Sequence, residues 1–154
     1  MPNPIVRHAT PQDAAAVARQ VHALLDELSG GMAPPADAVL DTTRSVLASG
    51  RVTALLAEQQ GQTLGLLTLN ECMAIYAGGR FGEISELYVT PDHRSQGVAA
   101  RLLDAALDEA GQRGWSRLEV GAPSQPDWHR TLAFYRAHGF EEVGPRPRRL
   151  VTRP

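Results

Sequence analysis

A single cysteine, Cys72, leaves this chain without any internal disulfide or multi-cysteine zinc site, which fits a reducing cytoplasm. No apolar run approaches the roughly 18 residues of a membrane span, and the N-terminus lacks a basic segment followed by an apolar one. The formal net charge is only −2, so nothing draws the chain as a whole toward nucleic acid or an anionic membrane. The one basic cluster, Arg146, Arg148, Arg149 and Arg153, lies among prolines at the C-terminus and reads as a solvated edge. The five histidines form no i, i+4 pair and have no cysteine partner, so no metal is expected. There is no G-x-S-x-G nucleophile elbow, no P-loop and no dinucleotide fingerprint.

What is present is a compact-domain composition, 43% apolar and 21% charged over 154 residues. That length supports one core and predicts one domain over residues 1–154, with neither linker nor repeat.

Ile5 to Ala9 reads as a first strand. Thr10, Pro11 and Asp13 then make a helix start, with Thr at the cap and Pro at the first helical position. Val17, Val21, Leu24, Leu25 and Leu28 recur at helical spacing until Gly30-Gly31 and Pro34-Pro35 break the pattern. A second helix is predicted from Asp37 to Leu47. Val52–Glu58, Leu64–Ala77 and Arg80–Val89 follow as a meander of three strands.

From Ser95 to Arg113, Val98, Leu102, Leu103, Ala106, Leu107 and Ala110 form an apolar stripe, with Asp104, Asp108 and Glu109 outside it. Arg117–Gly121 reads as a strand, Arg130–His138 as a helix, and Phe140–Val143 and Arg148–Val151 as weak final strands. The order predicts a mixed α/β sheet with helices on its faces.

The informative stretch runs from Glu83 to Ala110, where a strand turns into the best helix of the chain. Gly97 removes a side chain at the turn, and Ala99 and Ala100 keep the first helical turn open to a ligand. First-turn N–H groups have no intrahelical partner and the helix dipole makes that end electropositive, so an anion such as phosphate fits there. Arg94 adds a cation at the same mouth.

The run Arg94-Ser95-Gln96-Gly97-Val98-Ala99 resembles the acyl-CoA-binding motif of the GNAT-superfamily N-acetyltransferases, Arg or Gln followed by x-x-Gly-x-Gly or Ala. Ile5 to Thr10, Glu86-Leu87-Tyr88-Val89 with Pro91, Phe134-Tyr135 and Gly139-Phe140 extend the resemblance over nearly the whole chain. It implies an α+β fold: a mostly antiparallel sheet of six to seven strands, helices on both faces and splayed central strands. It further implies acetyl-CoA as acyl donor. The pantetheine arm would lie along Leu87, Tyr88 and Val89, and amides from Gln96 to Ala100 would hold the pyrophosphate, with Arg94 and Ser95 at the turn.

The implied reaction is direct attack of a primary amine, of a small molecule or peptide, on the thioester. The amine must lose a proton, its pKa being about 10 when free, and the leaving thiolate is helped by an acid. Tyr135 matches the family's general acid. Glu83 matches a strand glutamate used as a base by some members and is the first candidate; Glu86 is the second. Strict alternation puts these two on opposite faces, whereas a bulge between them would bring both toward one cleft. An ordered water is a third route for the proton.

One position departs from the family pattern. Trp128 stands where members often carry Asn, in Trp128-His129-Arg130 ahead of Phe134-Tyr135. Trp128 then packs on the coenzyme, shapes the substrate mouth, or anchors the helix start, and Arg130 follows it in the motif. Acceptor choice is expected from the first two helices, their loop Ser29–Pro35 and the hairpin Ala77–Arg80, with Asp26, Glu27 and Asp41 available to a cationic amine. A non-catalytic acyl-CoA-binding sensor is the alternative reading. A homodimer formed through an edge strand is left open, with Pro145 and Pro147 opposing strand pairing there.

Overall fold

The computed structural model describes residues 3–121, 129–144 and 146–151. In chain order the elements are β1 (Ile5–His8), α1 (Ala14–Leu28), α2 (Ala36–Ala48), β2 (Val52–Gln59), β3 (Gln62–Ala74), β4 (Gly79–Val89), α3 (Val98–Arg113), β5 (Leu118–Val120) and α4 (His129–Ala137). The chain packs as two units, residues 1–119 and 120–154. Among the described residues no helix is long and apolar enough to cross a membrane.

The five strands form one sheet in the order β1-β2-β3-β4-β5. β1 with β2, β2 with β3, and β3 with β4 all pair antiparallel. Phe140–Val143 and Arg148–Val151, expected as strands, carry no strand among the described residues, so the sheet has five strands and not six or seven. Pro147 lacks the N–H that a ladder needs, and Gly144 at φ 126° bends the chain out of extended geometry.

The β2–β3 hairpin closes in two residues. Gln59 pairs with Gln62, and the central Gln60 and Gly61 have φ of 52° and 76°, the positive pair a type I′ turn demands. The expected cap at Thr10 is present, with the Thr10 N–H donating to Asp13 Oδ2 at 2.8 Å. It opens a 3-10 turn, Pro11–Asp13, before α1 begins at Ala14. Arg7 places its guanidinium between Asp13, at 2.8 and 2.9 Å, and Glu58, at 2.8 Å, which ties β1 to β2 and to the start of α1. Those bonds hold the Asp13 carboxyl well below the usual carboxylate range.

α1 and α2 cover one face of the sheet. There Val17 packs with Ala54, Leu56, Leu66 and Tyr88, and Val21, Leu24 and Leu47 close around them. The other face carries α3, whose Leu102, Leu103 and Ala106 are fully buried. Glu109 was expected outside the α3 stripe but is buried. Its carboxylate accepts from Arg113 Nε at 2.7 Å and lies 2.8 Å from His8 Nε2 on β1. Two hydrogen-bonding partners make that burial tolerable for a charge.

Two strand glycines allow the α3 face to pack closely. A Cβ on Gly65 would stand 2.7 Å from Tyr88 O, and one on Gly82 would overlap the Trp115 ring and reach 2.7 Å from Leu118. Trp115 is itself held by a 2.7 Å bond from Nε1 to Glu71. Gly82→Ala should therefore lower stability by about 1–3 kcal/mol through overpacking. Chemical denaturation checks this, and an unchanged midpoint would contradict the close approach.

Candidate functional site

The α1/α2 face of the sheet holds a cleft of about 550 Å³. Val17, Val21 and Leu25 contribute a stripe at four-residue spacing from α1, and Ala38, Thr42 and Val46 repeat the spacing on α2. The sheet contributes Val52 of β2 and a polar group made of Thr68 and Asn70 of β3 and Ser85 and Glu86 of β4.

A bulge in β4 lets the adjacent Ser85 and Glu86 both line the cleft. Thr68 pairs with Glu86 and the adjacent Leu69 with Ile84, so Ser85 is an extra residue without a counterpart on β3. Beyond it Glu83 pairs with Asn70. Directly paired residues share a face, so the bulge reverses the parity of β4 and sets Glu83 and Glu86 on the same side, where strict alternation would separate them. Thr68 holds the bulge from both directions. Its Oγ1 accepts from the Glu86 N–H at 3.0 Å and donates to Glu86 Oε1. Glu86 lines the cleft itself, while Glu83 is not among the lining residues.

Three residues past Glu86, β4 ends at Val89 and a 3-10 turn, Pro91–His93, leads to the start of α3. Ser95 and Gly97 have φ of 62° and 82°, and Gly97 is the N-cap residue of α3. Apart from its chain neighbours, no described residue comes within 4 Å of where a Gly97 Cβ would stand, so the space beside this glycine is open. Val98 is 2% exposed and anchors the first turn in the core, while Ala99 and Ala100 are half-buried. The first N–H of α3 recorded as bonding back is that of Arg101, to Gly97 O at 3.1 Å. Helix geometry leaves the amides before it without intrahelical acceptors. An unobstructed, electropositive helix end of this kind fits a pyrophosphate.

Arg94 does not present an unpaired charge there. Its guanidinium bonds Glu27 of α1 at 2.7 and 3.2 Å, and its Nε donates to Val89 O at 3.0 Å. It also lies 5.3 Å from the Tyr88 ring centroid. The Glu27 bonds raise its pKa further. Gln96 Nε2 reaches Asp92 O at 3.4 Å across the same turn.

In the second unit α4 carries Arg130, exposed in its first turn, and Tyr135, which is 5% exposed. Phe134 beside it is only half-buried. Tyr135 stacks edge-on to Phe134 and Phe140, with ring centroids 5.5 and 5.3 Å away. Burial pushes its phenol pKa up to about 12. Trp128 lies outside the described residues.

Thr68, Asn70 and Ser85 were not anticipated as site residues. A signal was present for Thr68, a polar side chain 3% exposed inside the apolar run Leu64 to Leu69. For Ser85 there was none, because a bulge leaves no mark in composition. Of the acidic residues expected to attract an amine, Glu27 pairs with Arg94, Asp41 with Arg44 at 3.8 Å, and Asp26 Oδ1 accepts from the Ala33 N–H at 3.4 Å. The lining residues of the cleft include Pro34 from the helix–helix loop and none from the hairpin Ala77–Arg80.

Comparison with known proteins converges on one family. The model of the Acetyltransferase (GNAT) family matches residues 21–140. An uncharacterised N-acetyltransferase of Bacillus subtilis is 30% identical over 145 residues, covering 89% of each chain. The aminoalkylphosphonate N-acetyltransferase of Salmonella typhimurium is 31% identical over 92% of this chain and 88% of its own. A predicted acetyltransferase from Clostridium acetobutylicum, solved with acetyl-CoA, shares the fold at a TM-score of 0.78 and 19% identity, with 96% of both chains covered. With a bulged strand that runs into an open helix N-terminus and a family match over most of its length, the chain belongs to the GNAT family and is an acetyltransferase.

Proposed function

We propose that this acetyltransferase moves an acetyl group from acetyl-CoA to a primary amine of a small molecule or peptide by direct attack. One observation carries the reading. A single strand, β4, supplies the cleft carboxylate Glu86 and, nine residues later through the turn, arrives at the open helix end at Ser95–Gly97. Amine site and anion site are thereby built on one continuous segment.

Acetyl-CoA, when bound, would supply a thioester carbonyl: the amine forms the new C–N bond, the C–S bond breaks, and the coenzyme leaves as its thiolate, which takes up the second amine proton through solvent. The chain does the rest. Amides from Gln96 to Ala100 hold the pyrophosphate, with Ser95 and Gly97 opening the approach. Leu87, Tyr88 and Val89 run beside the pantetheine arm, and a backbone N–H near Val89 faces the carbonyl oxygen. Arg94 serves this arrangement from behind, fastening the end of β4 to α1 through Glu27. Trp128 and Arg130 are assigned to the coenzyme side by their place in the motif.

Glu86 receives the ammonium in the cleft and takes its proton, directly or through a water. The Thr68 hydroxyl fixes one carboxylate oxygen, which leaves the other aimed by the same bond. Glu83 stands on the same face next along the strand and is the second acceptor for that proton. Tyr135 keeps its proton throughout the neutral range, since its pKa is held at about 12. By its place in the motif it is assigned as the hydrogen-bond donor to the leaving sulfur. Complete transfer would run uphill, because a thiol titrates near about 8.5.

Purified chain mixed with acetyl-CoA and a panel of amines should release free thiol in an amine-dependent way; absence of both thiol release and acetyl-CoA binding would end the proposal. Glu86→Gln should lower kcat/KM by about 10-fold or more, with Glu83→Gln less affected; equal activity of Glu86→Gln and wild type would remove the role of Glu86. Gly97→Ala places a side chain at φ 82° in the cradle and should raise KM for acetyl-CoA without a matching fall in kcat. Tyr135 gives a stability test with a definite sign. Its folded pKa exceeds the unfolded value of about 10, so the unfolded state loses the proton first and stability falls as pH rises from about 10 to about 12. Tyr135→Phe should flatten that part of the melting-temperature profile.

A further inference from the structure

We infer that the acceptor taken by this cleft is a monoamine on an apolar body; the inference rests on the acetyl-transfer reading of the same cleft and narrows its substrate class. Among the described residues fifteen side chains line the space, and the only charged one of these is Glu86. No arginine or histidine is among them. The nearest cation on α2, Arg44, is paired with Asp41, and the cation at the end of β4, Arg94, is paired with Glu27.

The polarity is one-sided. Thr68, Asn70, Ser85 and Glu86 gather on the sheet, while α1 and α2 contribute a mainly apolar sleeve, interrupted by the uncharged Thr42 and Thr43, that continues from buried Val17 and Val39 to Val46 at the rim, 37% exposed. A single ammonium finds one carboxylate at the polar end. A second cation would find none, and a phosphonate or carboxylate on the acceptor would be desolvated against valine and leucine with no counter-charge. An alkyl or arylalkyl body gains from leaving water along the sleeve. At about 550 Å³ the cleft falls within the range of small-molecule sites, about 300–1,000 Å³.

The test compares kcat/KM of the full chain, by thiol release from acetyl-CoA, for hexylamine, phenethylamine, spermidine, glycine and 2-aminoethylphosphonate. The two apolar monoamines should each exceed the other three by about 10-fold or more. Val46→Arg should cut the efficiency with hexylamine by a similar factor, mainly through KM. Preference for spermidine, glycine or the aminophosphonate would overturn the acceptor class and leave acetyl transfer standing. Calorimetric titration of hexylamine provides a readout independent of turnover. Saturable binding that Val46→Arg abolishes, without acetylation of any amine, would sustain the ligand class and remove acetyl transfer; absence of hexylamine binding together with absence of its acetylation would overturn the inference.

Discussion

The two-way hydrogen bond between Thr68 and Glu86 organises much of the sheet around it. It clamps β3 to β4 where Ser85 is extruded, and every residue of β4 before the bulge takes its face from that insertion. Were the ladder regular, Glu83 would turn toward the α3 side and Gly82 toward the cleft. The α3 side could not accept that exchange, because Trp115 fills the space that Gly82 leaves empty. A side-chain hydroxyl satisfied in both directions is an economical way to hold an irregular backbone, since donor and acceptor are both used inside an otherwise apolar strand.

The cradle obeys a different constraint. Its amides come from helix geometry, and its openness from a glycine cap, but its position relative to the cleft depends on what holds the end of β4. Arg94 does so by joining Val89 O to Glu27 on α1. The guanidinium read from the motif as a ligand cation is thus committed to protein partners, and the attraction for an anion rests with the helix end. The two readings differ because a side chain's partner is a property of the fold, here a contact between residues 67 positions apart.

Most of the elements were legible. Val17, Val21 and Leu24 point inward as their spacing demanded, and the α3 stripe from Val98 to Ala110 is buried apart from Leu107. The failures have local causes. The strands expected at Phe140–Val143 and Arg148–Val151 had weak patterns and two prolines between them, and among the described residues no ladder formed. Glu109 looked like a solvated acid until Arg113 and His8 were found around it. Phe134 and Tyr135 are neighbours of similar apolarity, and only helix orientation decides which one is buried.

The amino-acid sequence by itself determined most of the order of elements, the glycine at the turn into α3, the family and with it the acetyl donor chemistry that the family uses. These are readable because they depend on local backbone preference and on contiguous residues. Tertiary structure alone decided that Glu83 and Glu86 share a face, that Arg94 is spent on Glu27, and that the cleft offers one carboxylate in an apolar sleeve. Each of these depends on pairing between distant segments: a one-residue bulge inverts the parity of a whole strand, and no local pattern records where the partner strand will slip.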